Sequence, residues 1–326
     1  MPFRTKLTER LGIKHPIILA PMGSISGGAL ASAVTEAGGL GLIGLGYGDQ
    51  EWLDREFSAA GNGRIGCGFI TWSLDRQPHL LDRALGQGPT AVMLSFGDPQ
   101  PYAATIKNSG ASLICQVQSV WQAERAIEIG ADIIVAQGTE AGGHGSARST
   151  LPLVAAVVDV AQRHNQDVVV VAAGGIADGR GLAAALMLGA HGVLVGTRFM
   201  TANEALTSNE IKAKVVSASG DNTIRTRVFD IIRQIDWPNA YTGRALQNAF
   251  SAQWDGREAE LEQNIDAERI RYAKADEAND LDTRVVFAGE AVDFVHDTCP
   301  ASKIVEMLVR DAEAVLGGVN QMLSPT

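Results

Sequence analysis

The 326-residue chain contains only three cysteines, Cys67, Cys115 and Cys299, far apart and in no CxxC spacing. That scarcity leaves no basis for a disulfide framework or a thiolate zinc site. It also has no HxH or HExxH, and none of its six histidines has a partner at metal-like spacing, so no metal is expected. Lysine and arginine form no block and the net charge is −10, which makes nucleic acid and anionic membranes poor partners. No apolar run is long enough to span a bilayer, and the opening "MPFRTKLTERLGIKHPIILAPM" lacks the apolar core of a signal peptide. The expected location is therefore cytoplasmic. No G-x-S-x-G marks a serine nucleophile, and Cys67 and Cys115 lie inside apolar runs, where a thiol packs and does not react. "GLGYG" at 44–48 falls short of a full dinucleotide fingerprint.

Glycine, by contrast, is abundant, and its placement is patterned. "EAGGLGLIG" (36–44), "EIGADIIVAQG" (128–138) and "MLGAHGVLVGT" (187–197) each read as a helix end, a glycine suited to a C-cap, and a short apolar run. Runs apolar throughout suit strands buried on both faces. Similar runs at 16–20, 64–70, 90–96, 112–117 and 168–173 bring the count to eight candidate strands before residue 200. Helix-like segments at 27–37, 51–60, 75–86, 99–109, 119–129, 151–164 and 179–189 alternate with them. Alternation implies a parallel sheet, and a count of eight favours a (β/α)8 TIM barrel over a doubly wound open sheet with the same local pattern. After Met200 the composition turns more charged. We divide the chain into a barrel core at 1–200, a mostly helical insertion near the barrel mouth at 201–290, and a C-terminal segment at 291–326 whose amphipathic "PASKIVEMLVRDAEAVLGG" completes the outer ring.

Function in such a barrel gathers on the loops that follow the strands. After the seventh and eighth strands come "AGGIADGRG" and "GTRFM". Gly174 and Gly175 lead into a helix with Asp178 as its N-cap, and Gly196 and Thr197 supply bare amides and a hydroxyl. Glycines let N–H groups approach an anion, so these loops read as a phosphate cradle, with ordinary turns as the plainer alternative. "AQGTEAGGHGS" follows the sixth strand and carries His144. A solvated loop imidazole is the plainer reading there. Position at the mouth, among small residues that leave room for a flat ligand, favours a general base or hydrogen-bond donor.

"APMG", "CQVQSVWQAERAIEIGADIIVAQGTEAGGH", "VVAAGGIADGRGLAAALMLGAHGVLVGTRF" and "YTGRALQN" together resemble the nitronate monooxygenase family, formerly called 2-nitropropane dioxygenases, from about residue 13 to the end. The resemblance implies a TIM barrel holding FMN without a covalent bond. It implies that Ala20, Pro21, Met22 and Gly23 lie against the flavin ring, that Gln116 reaches its edge, and that Gly142 and Gly143 keep the sixth loop close to it. Gly174, Gly175, Gly196 and Thr197 would hold its phosphate, and His144 would be the active-site histidine over the ring. The chain departs from many relatives at Gly68, where they carry Asn, and at Gln116, where some carry Lys. Phe69 and Trp72 are candidates for shaping an apolar pocket, or for plain packing. The activity implied is oxidation of alkyl nitronates or nitroalkanes with O2 to a carbonyl compound and nitrite, on small-molecule substrates, with self-association allowed for. An NAD(P)H-dependent reductase of quinones or enoyl thioesters shares the fold and cofactor. A non-catalytic FMN-binding barrel is the alternative of another class, and a histidine placed in that loop argues against it.

Overall fold

The short apolar runs fold as strands because each can bury both faces, one against the barrel interior and one against a helix. In the computed structural model, which describes residues 3–164 and 167–322, the strands in chain order are β1 (Ile17–Leu19), β2 (Leu42–Gly44), β3 (Gly66–Ile70), β4 (Ala91–Ser95), β5 (Ser112–Val117), β6 (Ile133–Gln137), β7 (Gly143–Gly145), β8 (Val169–Ala173), β9 (Val193–Val195), β10 (Thr223–Thr226) and β11 (Thr242–Leu246). Eight of them pair in parallel in the order β1-β9-β8-β6-β5-β4-β3-β2, and a parallel bridge from Ile18 to Leu40 brings the ends of that sheet together. This is the expected (β/α)8 barrel.

Burial alternates with the strand period of two. Ile18, Leu42, Met93, Ile114, Ile133, Val135, Val169, Val171 and Leu194 form one cluster inside the barrel. Their neighbours Ile17, Leu19, Ile43, Val92, Leu113, Cys115, Ile134, Val170 and Val193 belong to the larger cluster beneath the helices. Leu7 and Leu11 of the N-terminal helix Lys6–Leu11 join the interior cluster. The glycines of the recurring pattern do what their spacing predicts: Gly38, Gly130 and Gly189 have φ of 97°, 76° and 90°. Each follows a helix by one residue, and the bonds Gly130 N–H to Ile127 O and Ala131 N–H to Ala126 O are those of a Schellman cap.

The C-terminal helix Ala301–Met322 packs against helices Gly179–Met187 and Gly28–Glu36, the last and first of the outer ring. A Cβ at Gly179 would lie 2.6 Å from the Asp311 carbonyl carbon, so this contact requires a glycine. Among the described residues no helix is long and apolar enough to cross a membrane.

The segment after residue 200, expected to be mostly helical, also contributes two strands. β10, β11 and β7 form a three-stranded antiparallel sheet, with Gly243 opposite His144. The strands are hidden in sequence because "TIRT" and "TGRAL" carry arginines where a buried strand would carry aliphatics. Those arginines are used on backbone carbonyls. Arg225 Nη2 donates to Thr139 O (2.9 Å) and Ala141 O (3.2 Å), and Arg244 Nε donates to Thr139 O (2.9 Å). A separate cluster around Phe229, Phe250, Trp254 and Tyr272 gives this segment its own small core.

Candidate active site

Continuing the alternation to the C-terminal ends of the strands gives the floor of the site. The inward positions there are Ala20, Gly44, Gly68 and Ser95 on one side, and Gln116, Gln137, Ala173 and Gly196 on the other, and all line one cavity of about 510 Å³. Six of these eight are Gly, Ala or Ser, which leaves a wide shelf at the mouth. The two amides are tied together. Gln116 Nε2 and Gln118 Nε2 both donate to Gln137 Oε1 (3.1 and 2.9 Å), and Gln137 Nε2 donates to the His144 carbonyl (3.1 Å). The network fixes the amide rotamers at the shelf's polar edge.

The loop after β1 runs over this shelf at close range. A Cβ at Gly68 would lie 2.5 Å from Pro21 Cβ and nearer still to its Cγ. A Cβ at Gly44 would lie 2.7 Å from the Met22 amide nitrogen. The departure from Asn at position 68 thus has a steric reason: the Pro21 ring occupies the space. Ser24 (φ 60°) and Phe96 (φ 63°) hold left-handed backbone that non-glycine residues rarely adopt, and both line the cavity.

At one end the cavity is bounded by Gly174 (φ 101°), Gly175 (φ 71°), Gly196 and Thr197, the four residues expected to form a cradle. The space around them is informative. A Cβ at Gly196 would meet only ordinary contacts, Ala20 Cβ at 3.4 Å and Met22 Sδ at 3.5 Å, and one at Gly143 (φ 70°) would meet nothing within 4 Å. Protein packing does not demand bare backbone at Gly196, and a ligand would account for it. Gly142 is different: a Cβ there would lie 2.6 Å from the Gly289 amide nitrogen, so its glycine serves the packing of segment 288–289. The adjacent helix N-termini are already met by side chains. Asp178 caps Gly179–Met187 through the Gly181 amide (3.1 Å), and the Glu140 carboxylate accepts from Thr150 N–H (2.9 Å) and Oγ1 (2.7 Å) at the start of Thr150–Arg163. The arginines on the outward carbonyls of Thr139 and Ala141 hold the sixth loop in place.

His144 lies on β7 and is 8% exposed, so it is not the solvated imidazole of the plainer reading. Its Nε2 is 3.0 Å from both carboxylate oxygens of Asp230, itself 4% exposed. Its ring stacks on Trp237 at 3.5 Å with 6° between planes, and Phe287 lies tilted against it at 5.4 Å. Burial pushes the His144 pKa below its ordinary value. The Asp230 hydrogen bond and charge oppose that, and the Arg233 and Arg225 charges add to it. The imidazole is therefore neutral at neutral pH. A carboxylate only accepts, so Nε2 carries the proton and Nδ1 the lone pair. The ring that lines the cavity is thus a base, held by a buried acid in one tautomer.

The roof over His144 is aromatic. Trp237 Nε1 donates to the Tyr47 hydroxyl (3.0 Å), Tyr241 accepts from Gln122 Nε2 (3.2 Å), and Phe96 lies edge-on to Trp237 at 5.2 Å. Burial raises the pKa of both tyrosines, so they stay protonated. Phe69 lines the cavity; Trp72 stands behind, 5.3 Å from Trp237. Cys67 and Cys115 are buried under the helices with pKa pushed up to about 12, as inert thiols should be. Sequence reasoning missed Tyr47, Phe96, Gln137 and Phe287, which line the cavity, and a group from one stretch of chain, Asp230, Arg233, Trp237 and Tyr241. The only signal for that group is the run "FDIIRQIDWPNAY" (229–241), which packs acid, base and aromatics into a short stretch.

A sequence model described as nitronate monooxygenase matches residues 4–60 and 74–311. The chain is 34% identical to the nitronate monooxygenase of Neurospora crassa, over 92% of this chain and 90% of that protein. Its fold is similar to FabK from Thermotoga maritima, with a TM-score of 0.85 and 29% identity over 98% of this chain and 100% of that one. It is also similar in fold to the nitroalkane oxidase of Streptomyces ansochromogenes, with a TM-score of 0.79 and 24% identity over 97% and 100% of the two chains.

Proposed function

The chain belongs to the nitronate monooxygenase family, and from that we propose that it oxidises alkyl nitronates, and nitroalkanes after their deprotonation, with O2 to a carbonyl compound and nitrite. The reading assigns it non-covalently held FMN. The residues present fit that group: a shelf of small inward side chains with the Pro21 loop across it for the ring, two oriented glutamines for its polar edge, and the cavity-lining Gly175, Thr197 and Gly196, the last with space beside its backbone, for one phosphate. FMN, when bound, supplies the electron acceptor for the oxidation. In this reading residues 1–200 hold the cofactor, 201–290 cover the mouth, and 291–326 close the ring of helices.

The observation that carries the reading is the Asp230–His144 pair. A neutral imidazole with Nε2–H on a buried carboxylate has its lone pair on Nδ1, the arrangement needed to take the α-proton of a nitroalkane. As the imidazole becomes a cation, Asp230 stabilises it at 3.0 Å in a site of low dielectric. Trp237 holds the ring plane and, with Phe287 and Tyr47, keeps bulk water from the proton. With a substrate that is already ionised no proton is taken, and the same residues only bind and orient it.

The test is anaerobic mixing of the purified protein with ethyl nitronate, and separately with NADH and NADPH, while the flavin spectrum is followed. Bleaching by nitronate, with FMN released on denaturation, is the expected result. The likeness to FabK supports a second reading, a reductase on the same fold. Fast bleaching by a nicotinamide and none by nitronate would establish that one instead. A colourless protein that takes up no FMN would end both.

A further inference from the structure

Arg233 ends the helix Val228–Arg233, one turn beyond Asp230, and its side chain lines the cavity. Its guanidinium carbon lies 5.9 Å from the centre of the Phe287 ring, on the aromatic wall beside His144. Nη1 is buried and has no hydrogen-bond partner, and among the described residues no carboxylate lies within ion-pair distance of the group. Arg225 and Arg227 also bury a nitrogen without a partner, but neither lines the cavity; Arg225 is otherwise occupied by carbonyls, and Arg244 by a carbonyl and Glu290. A cation in an aromatic wall without a counter-ion is costly unless something completes it. Among the described residues the fold offers this guanidinium the Tyr47 hydroxyl, a neutral partner, and no carboxylate in ion-pair contact, so its charge is open to an anion that enters the cavity.

We propose that Arg233 is the specificity-determining residue that receives the O–N–O group of the substrate, pairing with the negative charge spread over its two oxygens. This rests on the function proposed above. A guanidinium fork matches a planar pair of oxygens, and charge-assisted hydrogen bonds of this kind are about twice as strong as neutral ones. Arg233 therefore favours the nitronate anion over the neutral nitroalkane, whose oxygens carry far less charge. It also sets a division of work. His144, whose neutral form offers no N–H to the substrate, accepts a proton; Arg233 holds the oxygens.

Nitrite, a planar O–N–O anion, is the probe. Wild-type, Arg233→Gln and Arg233→Lys holoenzymes are titrated with sodium nitrite and read by the flavin difference spectrum. Loss of a charged hydrogen-bond partner predicts affinity weaker by roughly 10- to 100-fold in Arg233→Gln, with partial recovery in Arg233→Lys. KM for ethyl nitronate rises by a similar factor while kcat moves less, and KM for neutral nitroethane changes little. Should Arg233→Gln not retain flavin, Arg233→Met keeps the aliphatic stem on Phe287, and equilibrium dialysis of nitrite against the apo-protein gives a flavin-independent reading with the same expected loss. Nitrite affinity and nitronate KM at wild-type values in the neutral variants overturn the proposal. A wild type that binds nitrite through Arg233 yet does not oxidise nitronate overturns the function proposed above and leaves the anion site standing.

Discussion

Replacing Asp230 by Asn tests whether the His144 pair performs chemistry or only packs. The substitution is nearly isosteric and leaves the Trp237 stack in place. In the native site Nε2 is 3.0 Å from each carboxylate oxygen. Removing the charge removes the influences that raise the His144 pKa and leaves burial, Arg233 and Arg225, all of which lower it. The base becomes weaker. If the new amide turns its NH2 toward Nε2, the ring must also move its proton to Nδ1, and the base is lost altogether. The expected fall in kcat/KM for nitroethane is roughly 10- to 10³-fold, less than the full 10²–10⁴ of general-base catalysis because, with the amide oxygen toward Nε2, the base is weakened and not removed. Pre-ionised ethyl nitronate needs no base, so its turnover should change only a few-fold. The pH profile gives the sign. The reactive form is neutral, and the His144 pKa is already below its ordinary value, so the nitroalkane rate is flat through neutrality and falls only as pH drops through that lowered pKa. In Asp230→Asn the falling limb moves further into acid. A variant with bound flavin that turns over nitroethane at the wild-type rate, or whose limb moves toward alkali, would refute the reasoning.

Gly196→Ala should fold normally, because its Cβ meets only ordinary contacts, yet bind FMN at least roughly tenfold more weakly by fluorescence titration if that space belongs to the phosphate. Gly68→Asn should cost about 1–3 kcal/mol by overpacking against Pro21, seen as a lower Tm and poorer flavin retention; wild-type values for both would show that the Pro21 loop yields freely. His15, His144 and His191 all have pKa values lowered by burial, so the unfolded chain binds more protons than the folded one below the ordinary histidine range. Stability should therefore fall as pH drops below about 6.5, and the fall in Tm between pH 7.5 and 5.5 should be smaller in His191→Asn, whose amide oxygen can still accept from Val170 N–H.

The barrel was legible because its signals are local. A helix end, a left-handed glycine and an apolar run recur at Gly38, Gly130 and Gly189, and each needs only a few neighbouring residues to be recognised. Gly174, Gly175 and Gly196 stand out in the sequence for the same reason, and all three line the cavity. The chemistry around His144 was not legible. Asp230 stands 86 residues away, on a helix whose polar positions look like any solvated face. What joins them is the pairing of β7 with β11, and "GHG" has no apolar residue to announce a strand. Arg225 and Arg244 masked β10 and β11 in turn, since their burial depends on carbonyls supplied by the sixth loop.

That division follows the physics of the site. A cofactor shelf can be built from backbone and small side chains at strand ends, and a barrel places all eight ends on one rim by its own closure. A base with a fixed tautomer needs more: a buried acid, a stacking partner and exclusion of water, brought to one point from outside the rim. Here all three come from the segment after residue 200, as Asp230, Trp237 and Phe287, and that segment carries its own core in Phe229, Phe250, Trp254 and Tyr272. It can therefore keep its internal packing while the residues facing the shelf change. On the function proposed above, proteins that share the shelf can in this way differ in chemistry, because the groups that orient His144 and meet the substrate's charge belong to the segment after residue 200. The discriminating residues between a nitronate oxidation and a nicotinamide-driven reduction should accordingly lie among residues 228–246, and Asp230 and Arg233, one turn apart on a single short helix, are where a change of substrate charge or of proton demand would first be felt.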